Sequence, residues 1–249
     1  NKKIDNTNKK IDILINNKDN NLHDINNLQD NNKIVKYKNN KIKVGVFISI
    51  PKCASKTILE MFELGKNRDW DALYGENHFI MYENHQRLKV LEELYDLSNM
   101  YIFTFVRNPY DRIKSWFYYH KNIKNLNFYK HKSLNEWISG GCKTHVFKQN
   151  GTDWNKENKS VLLQYNYIEG KSKIDFIGKI ENFENDCKEI ILNLNNIFQK
   201  NNIPKKITYK DITNNTTDEK YKVEEITDEN KELIYNLFKK DFEYFNYDK

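Results

Sequence analysis

Cysteine is scarce in this sequence, and no stretch of it stays hydrophobic for long. The three cysteines, Cys53, Cys142 and Cys187, are odd in number and lack the spacing of metal ligands. This argues against a disulfide framework and against a zinc site. A helix that spans a bilayer needs about 20 apolar residues, whereas the longest apolar run covers only residues 44–50. Any membrane anchor would therefore lie outside the given chain.

Arginine is also scarce, although the chain as a whole is basic. Lysine and arginine number 41 against 35 acidic residues, a formal net charge of +6, which suits an anionic partner. Only Arg68, Arg87, Arg107 and Arg112 occur, and the last two stand within one short stretch. The lysines are dispersed and the aromatic residues follow core patterns. We therefore predict a compact anion site and no nucleic-acid partner.

The first 42 residues contain neither glycine nor proline, and only one aromatic residue. A segment so rich in Asn, Lys and Asp cannot bury enough apolar surface to offset the entropy lost on ordering. We predict a disordered tail or stem over residues 1–42. Residues 43–249 have a suitable length for one α/β domain.

Three apolar runs have the composition of buried strands. They are VGVFISI at residues 44–50, MYIFTFVR at residues 100–107 and KIDFIGKI at residues 173–180. Each is followed by a helical pattern, after a loop-rich region in the first case. The alternation predicts a central parallel sheet flanked by helices.

Residues that favour helix N-termini mark the starts of two predicted helices. Asn108 and Pro109 are placed as the N-cap and the first helical residue of NPYDRIKSWFYYHK. Glu181 and Asn182 are interpreted as caps of the helix after the third strand. SLNEWISG and DENKELIYNLFKKDFEYF are predicted to be helical, whereas GENHFIMYENH is placed in a loop.

Two strand-loop-helix units carry cations and hydroxyl groups where a parallel sheet binds its ligands, at the carboxyl ends of the strands. The first unit contributes Lys52, Ser55, Lys56 and Thr57 in the segment PKCASKT. The second contributes Arg107 and, on the helix that follows, Ser115. Two separate anion sites predict a ligand with two separated anionic groups. A P-loop nucleotide kinase is the alternative, but both glycines of its phosphate loop are missing here.

Four segments resemble one family, the PAPS-dependent sulfotransferases, and within it the Golgi carbohydrate branch of heparan sulfate 2-O- and chondroitin-type enzymes. IPKCASKTI is similar to the family's 5′-phosphosulfate loop, and FVRNPYDRIKSWFYY to its 3′-phosphate motif. DFIGKIENFENDCKEI resembles the family's G-[RK]-x-E-N-x-x-x-D segment, and LFKKDFEYFNY its usual ending. The resemblance implies a P-loop-NTPase-like three-layer fold and the Golgi lumen as the compartment. A chain without an upstream signal would be cytoplasmic.

The resemblance also implies roles for individual residues. Lys52 would contact the bridging oxygen and sulfonate of PAPS, and Arg107 and Ser115 would hold its 3′-phosphate. A late loop that covers the cofactor would contribute Thr216, Thr217 and Lys220. No metal is required. The residues that would hold the 5′-phosphate are Lys52, Cys53, Ala54, Ser55, Lys56 and Thr57.

A general base must take the proton of the acceptor hydroxyl, and histidine is suited to this near neutral pH. His78 lies between the two phosphate motifs, where the resembling enzymes carry a histidine base. His85 and Glu76 are the alternatives. Other histidines that could line an acceptor cleft are His120, His131 and His145.

The resemblance therefore implies sulfonyl transfer from PAPS to a hydroxyl of a carbohydrate. The cytosolic small-phenol branch carries an R-K-G-x-x-G-D-W-K segment, which this sequence lacks. The alternatives are a sulfotransferase for a peptide tyrosine or small molecule, a non-catalytic module that binds PAP or a glycan, and the nucleotide kinase.

Overall fold

The fold is described from a computed structural model that covers residues 44–61, 79–81, 85–144, 154–155, 160–211 and 223–249. The predicted tail, residues 1–42, lies outside these ranges. Within them, no helix is both long and apolar enough to cross a bilayer.

The described strands form one four-stranded sheet and one short antiparallel pair. They are β1 (Gly45–Ile48), β2 (Phe79–Met81), β3 (Tyr101–Val106), β4 (Trp154–Asn155), β5 (Ser160–Val161) and β6 (Phe176–Lys179).

The four-stranded sheet has the order β2-β1-β3-β6, and all its neighbouring strands run parallel. The central parallel sheet predicted from the sequence is thereby confirmed. One prediction was wrong: residues 79–81, placed in a loop, form the edge strand β2 beside β1. A three-residue strand is too short to produce a readable pattern of alternation.

The described helices lie mainly between and after these strands. They are α1 (Ser55–Met61), α2 (Leu88–Leu94), α3 (Pro109–Tyr118), α4 (Asn127–Lys130), α5 (Leu134–Ser139), α6 (Tyr165–Ile168), α7 (Phe183–Lys200) and α8 (Asp228–Tyr244). A π-helical turn (Tyr119–Ile123) extends α3, and a 3₁₀ turn (Ile180–Asn182) precedes α7.

Local side-chain chemistry explains where two of these helices begin. The side chain of Asn108 accepts a hydrogen bond from the N–H of Tyr110, so the predicted N-cap of α3 is confirmed. Ser133 and Glu136 form a capping box at the start of α5. Asn182 occupies the predicted N-cap position of α7, although its side chain makes no capping hydrogen bond, whereas Glu181 lies within the 3₁₀ turn and does not cap the helix.

Two hydrophobic clusters form the core of the described residues. The first surrounds the sheet and includes Phe47, Phe103 and Phe198. The second lies among α3, α5 and α8 and includes Trp116 and Trp137. The carboxyl ends of β1 and β3 lie side by side, because Ile48 pairs with Thr104 in the sheet.

Candidate active site at the ends of the first and third strands

The loop between β1 and α1, residues 51–54, has an unusual backbone. A turn closes it, because the N–H of Cys53 donates to the carbonyl of Ile50 at 3.2 Å. Lys52 and Ala54 have φ angles of 67° and 56°, although left-handed backbone disfavours residues with a Cβ atom. Left-handed residues that alternate with others turn successive N–H groups toward one side, the geometry of an anion-binding nest. Loop 51–54 shares this alternation of left-handed residues with such nests, and it does so without any glycine.

The side chains beside this loop differ in exposure. Cys53 is fully buried, whereas Ser55 and Thr57 are partly buried and Lys56 is exposed. The Ser55 hydroxyl donates to the carbonyl of Ile50 at 3.2 Å, which ties the start of α1 to the end of β1. Ser55 and Thr57 remain close enough to the surface for contact with a bound ligand.

Lys52 lies against an aromatic ring and near other cations. Its Nζ atom is 3.8 Å from the ring centroid of Tyr119, and the Nζ atoms of Lys56 and Lys124 are within 6 Å of the same ring. Burial lowers the pKa of Lys52 to about 7, and the charges of Arg107 and Lys56 add to this effect. An anion placed here would favour the protonated ammonium, because it would offset both contributions.

Arg107 follows β3 directly, and its backbone is fixed by a side chain from another part of the chain. The Gln164 amide accepts from the N–H of Arg107 at 2.9 Å and donates to its carbonyl at 2.8 Å. The Arg107 side chain is partly buried, and its charge influences Lys52. The structure thus brings the cations of the two predicted phosphate motifs to one edge of the sheet.

Arg112 and Ser115 lie on the buried side of α3, where they are 1% and 5% exposed. Arg112 donates from Nε to the carbonyl of Pro51 at 3.1 Å and from Nη1 to the carbonyl of Leu162 at 2.8 Å. Ser115 shares this face of α3, because it stands three residues after Arg112. The second arginine of the motif therefore supports loop 51–54 from behind.

Replacing Arg112 with methionine is expected to lower the free energy of unfolding by about 3 kcal/mol. The change fills most of the volume but leaves the carbonyls of Pro51 and Leu162 without their buried donor. Urea unfolding followed by circular dichroism measures the loss. Lys239→Met on the exposed side of α8, where the lysine side chain is 58% exposed, is the control. Equal urea midpoints of unfolding for Arg112→Met and Lys239→Met would contradict the role of Arg112 in supporting loop 51–54.

A short chain of hydrogen bonds links α1 to the candidate base His85. The Ser49 hydroxyl donates to that of Ser55 at 2.8 Å, and His85 Nδ1 lies 3.0 Å from the Ser49 hydroxyl and 2.9 Å from its carbonyl oxygen. A carbonyl oxygen only accepts, so this geometry places the ring hydrogen on Nδ1 and the lone pair on Nε2. Burial lowers the pKa of His85 to about 4, which keeps the imidazole neutral.

The other predicted site residues fall into two groups. His120 is buried, with Nδ1 2.8 Å from the carbonyl oxygen of Trp116, and it stacks on Tyr129 in the second hydrophobic cluster. It therefore belongs to the core and does not line a cleft, while His131 is exposed at the end of α4. Six further candidates lie outside the described residues: Glu76, His78, His145, Thr216, Thr217 and Lys220.

Sequence patterns missed several residues that shape the site. Glu181 accepts from the N–H of Asn108 at 2.6 Å and from the Tyr247 hydroxyl at 2.9 Å, so it connects the start of α3 to the end of the chain. Tyr119 contacts Lys52 at the start of the π-helical turn. Turns of this kind are frequent at functional sites. The sequence signal for Glu181 was its place in the segment GKIEN, but there it was interpreted as a helix cap.

Comparisons with known proteins identify the family of the chain. The sequence model described as "Sulfotransferase family" matches residues 36–248, which is most of the chain and includes both phosphate motifs. No match was found among curated proteins or among solved structures. No cluster of metal-ligating side chains occurs within the described ranges. On the extent of the family match, the chain belongs to the sulfotransferase family.

Proposed function

We propose that this protein transfers the sulfonyl group of PAPS to a hydroxyl of a carbohydrate acceptor, on a P-loop-NTPase-like three-layer fold. The observation that carries the proposal is the meeting of loop 51–54 and Arg107 at one edge of a parallel sheet, within a chain of the sulfotransferase family. The order β2-β1-β3-β6, with helices after the strands, supports the fold assignment.

The residues of the site fit a ligand with two anionic groups. Loop 51–54, with the Lys52 ammonium and the Ser55 and Thr57 hydroxyls, would hold the 5′-phosphate. Arg107, with its planar fork of donors, would hold the 3′-phosphate together with Ser115 on α3. When bound, PAPS supplies an activated sulfonyl group attached to its 5′-phosphate.

Lys52 would stabilise the charge that develops on the leaving phosphate. A positioned cation in a partly desolvated site does this without reorganisation of water. The Tyr119 ring holds the ammonium by a cation–π contact, which limits the directions in which Lys52 can point.

His78 is the proposed general base, with His85 and Glu76 as alternatives. The neutral imidazole of His85 has the protonation state that a base needs, and its Nδ1 is fixed by Ser49. Its pKa of about 4 lies well below the operating pH, however, and a base is most effective when the two are close. The assignment to His78 itself rests on its position between the two phosphate motifs in the sequence.

Replacing His78 with alanine is expected to lower kcat by about 100-fold while leaving the Kd for PAP unchanged. A base acts on the acceptor and not on the cofactor, so binding and turnover should separate. His85→Ala, measured in the same way, is the matched variant. Loss of PAP binding in His78→Ala would give this residue a role in folding or cofactor binding, and a selective loss of kcat in His85→Ala would transfer the assignment.

The affinity for PAP is expected to fall as the pH rises from about 7 to about 9, by up to tenfold per pH unit. The ligand-free Lys52 has a pKa of about 7 and loses its proton over this range, whereas binding of an anion requires the protonated form. Binding should therefore take up a proton, which calorimetry detects by comparing buffers of different ionisation enthalpy. The Lys52→Arg variant should bind PAP with an affinity that does not change between about pH 7 and about pH 9. If its affinity fell with pH as steeply as that of the wild type, the pH dependence would not arise from Lys52.

Transfer of labelled sulfonate from PAPS tests the proposed reaction directly. We expect incorporation into desulfated heparan or chondroitin polysaccharides and little into a tyrosine peptide or a simple phenol. Incorporation into the peptide or the phenol alone would replace the carbohydrate acceptor. PAP binding without transfer to any acceptor would indicate a non-catalytic binding module.

A further inference from the structure

The side chain of Gln164 joins the two phosphate motifs. It is fully buried, with 0% exposure. Its Oε1 atom accepts from the N–H of Arg107 at 2.9 Å and from the thiol of Cys53 at 3.2 Å, and its Nε2 atom donates to the carbonyl of Arg107 at 2.8 Å. One amide group therefore touches both loop 51–54 and the residue that ends β3.

The contact with Arg107 imitates the pairing of a neighbouring strand. The ladder between β3 and β6 ends at Val106, which pairs with Lys179, and Arg107 is the next residue. The Gln164 amide supplies an acceptor and a donor to that residue. Fixing the N–H and the C=O of one residue restricts both of its backbone torsions and so sets the direction of its Cα–Cβ bond. The Arg107 side chain therefore leaves the backbone in a defined direction.

Gln164 is itself held from behind. Asp241 on α8 is 0% exposed and accepts from the N–H groups of Gln164 and Tyr165 at 2.8 and 2.9 Å. Arg112 binds the carbonyls of Leu162 and Pro51, as described above. The segment 162–165 is thus fixed to α8 on one side and to both phosphate motifs on the other.

We propose that Gln164 is a positioning residue that sets the separation of the two anion sites, and with it the preference for a ligand that carries two phosphates over one that carries a single phosphate. This inference rests on the proposed function. Gln164 does not contact the ligand, because its side chain is fully buried behind Cys53 and Arg107. It acts by placing Arg107 relative to loop 51–54.

A merely structural role has a different consequence. Loss of stability lowers the fraction of folded protein, and this weakens the binding of every ligand by the same factor. Misplacement of Arg107 weakens only the contact with the second phosphate. The ratio of the Kd for AMP, which has the 5′-phosphate alone, to the Kd for PAP therefore distinguishes the two roles.

The experiment measures both Kd values by calorimetry for the full chain and for Gln164→Leu. We expect the ratio to fall by at least about tenfold, since a displacement of about 1 Å is enough to cost far more than this. Asn230→Leu is the matched control, because it removes another buried amide, one that bonds Asn135 and Ser139 away from the site. It should lower the melting temperature and leave the ratio unchanged.

Two further variants keep the test decisive if Gln164→Leu does not fold. Gln164→Glu retains the acceptor for Cys53 and for the Arg107 N–H but loses the donor to the Arg107 carbonyl, and it should also lower the ratio. Cys53→Ala removes only the contact with the loop and should lower the ratio less. A wild-type ratio near one overturns the proposed PAPS site and this inference with it. A high wild-type ratio that persists in Gln164→Leu or Gln164→Glu overturns the positioning role alone.

Discussion

Replacing Lys52 with alanine is expected to lower kcat for sulfonyl transfer by about 1000-fold. In the proposed mechanism this ammonium stabilises the charge that develops on the leaving phosphate, and Lys52 is partly buried, where electrostatic contacts are strong. Alanine has the same Cβ atom as lysine, so it carries the same backbone cost at the left-handed position 52. The effect should therefore arise from the missing ammonium alone.

The Lys52→Ala variant should lose activity without losing stability. Burial lowers the pKa of Lys52, which means that folding disfavours its charged form. Removing the ammonium should leave the melting temperature of the ligand-free protein at pH 7 no lower than that of the wild type. Lys239→Ala, on the exposed side of α8, should change neither quantity. A normal kcat in Lys52→Ala would remove Lys52 from the mechanism.

Replacing Arg107 with alanine is expected to weaken PAP binding by at least about 100-fold while changing AMP binding little. A guanidinium forms two charge-assisted hydrogen bonds with a phosphate, each contributing about 1.5–3 kcal/mol. Gln164 holds position 107 through backbone atoms, so the loss of the side chain should leave loop 51–54 in place.

Arg107→Lys separates charge from geometry at this position. It keeps the cation but not the fork of donors, so its Kd for PAP should lie between those of the wild type and Arg107→Ala. Calorimetry gives all three values. If Arg107→Ala weakened the binding of AMP and of PAP by the same factor, Arg107 would not bind a second phosphate. It would instead support the 5′-phosphate site or the fold.

Much of the framework was predictable because its causes are local. The apolar runs of β1, β3 and β6, the Asn108 N-cap and the helix at the end of the chain are each specified within a few residues. The two cationic loops could be placed together for a general reason, since parallel strands bring their carboxyl ends to one edge of a sheet.

The contacts between distant segments could not be predicted. Gln164 is 57 residues from Arg107 and 111 from Cys53, and a glutamine after an apolar pair of leucines has no distinguishing pattern. Asp241 lies on the amphipathic helix α8, and from sequence alone a carboxylate on such a helix is expected on its solvent-exposed face. In the structure it is fully buried and accepts from the N–H groups of Gln164 and Tyr165.

The absence of glycine from loop 51–54 was weak evidence about the backbone conformation of this loop. Missing glycines argued against a phosphate loop of the nucleotide-kinase type, yet Lys52 and Ala54 adopt left-handed backbone in the same place. The surrounding hydrogen bonds, from Arg112 to Pro51 and from Cys53 to Gln164, hold the loop in this conformation. Residue type therefore says less about the shape of such a loop than its tertiary contacts do.

The most direct test of the account is a calorimetric titration of the purified chain with PAP, with ATP and adenosine 5′-phosphosulfate as controls. We expect micromolar binding of PAP that far exceeds the binding of either control, because only PAP would engage both loop 51–54 and Arg107. Absence of PAP binding, or a Mg²⁺-dependent preference for ATP, would contradict the sulfotransferase site and favour the nucleotide kinase instead.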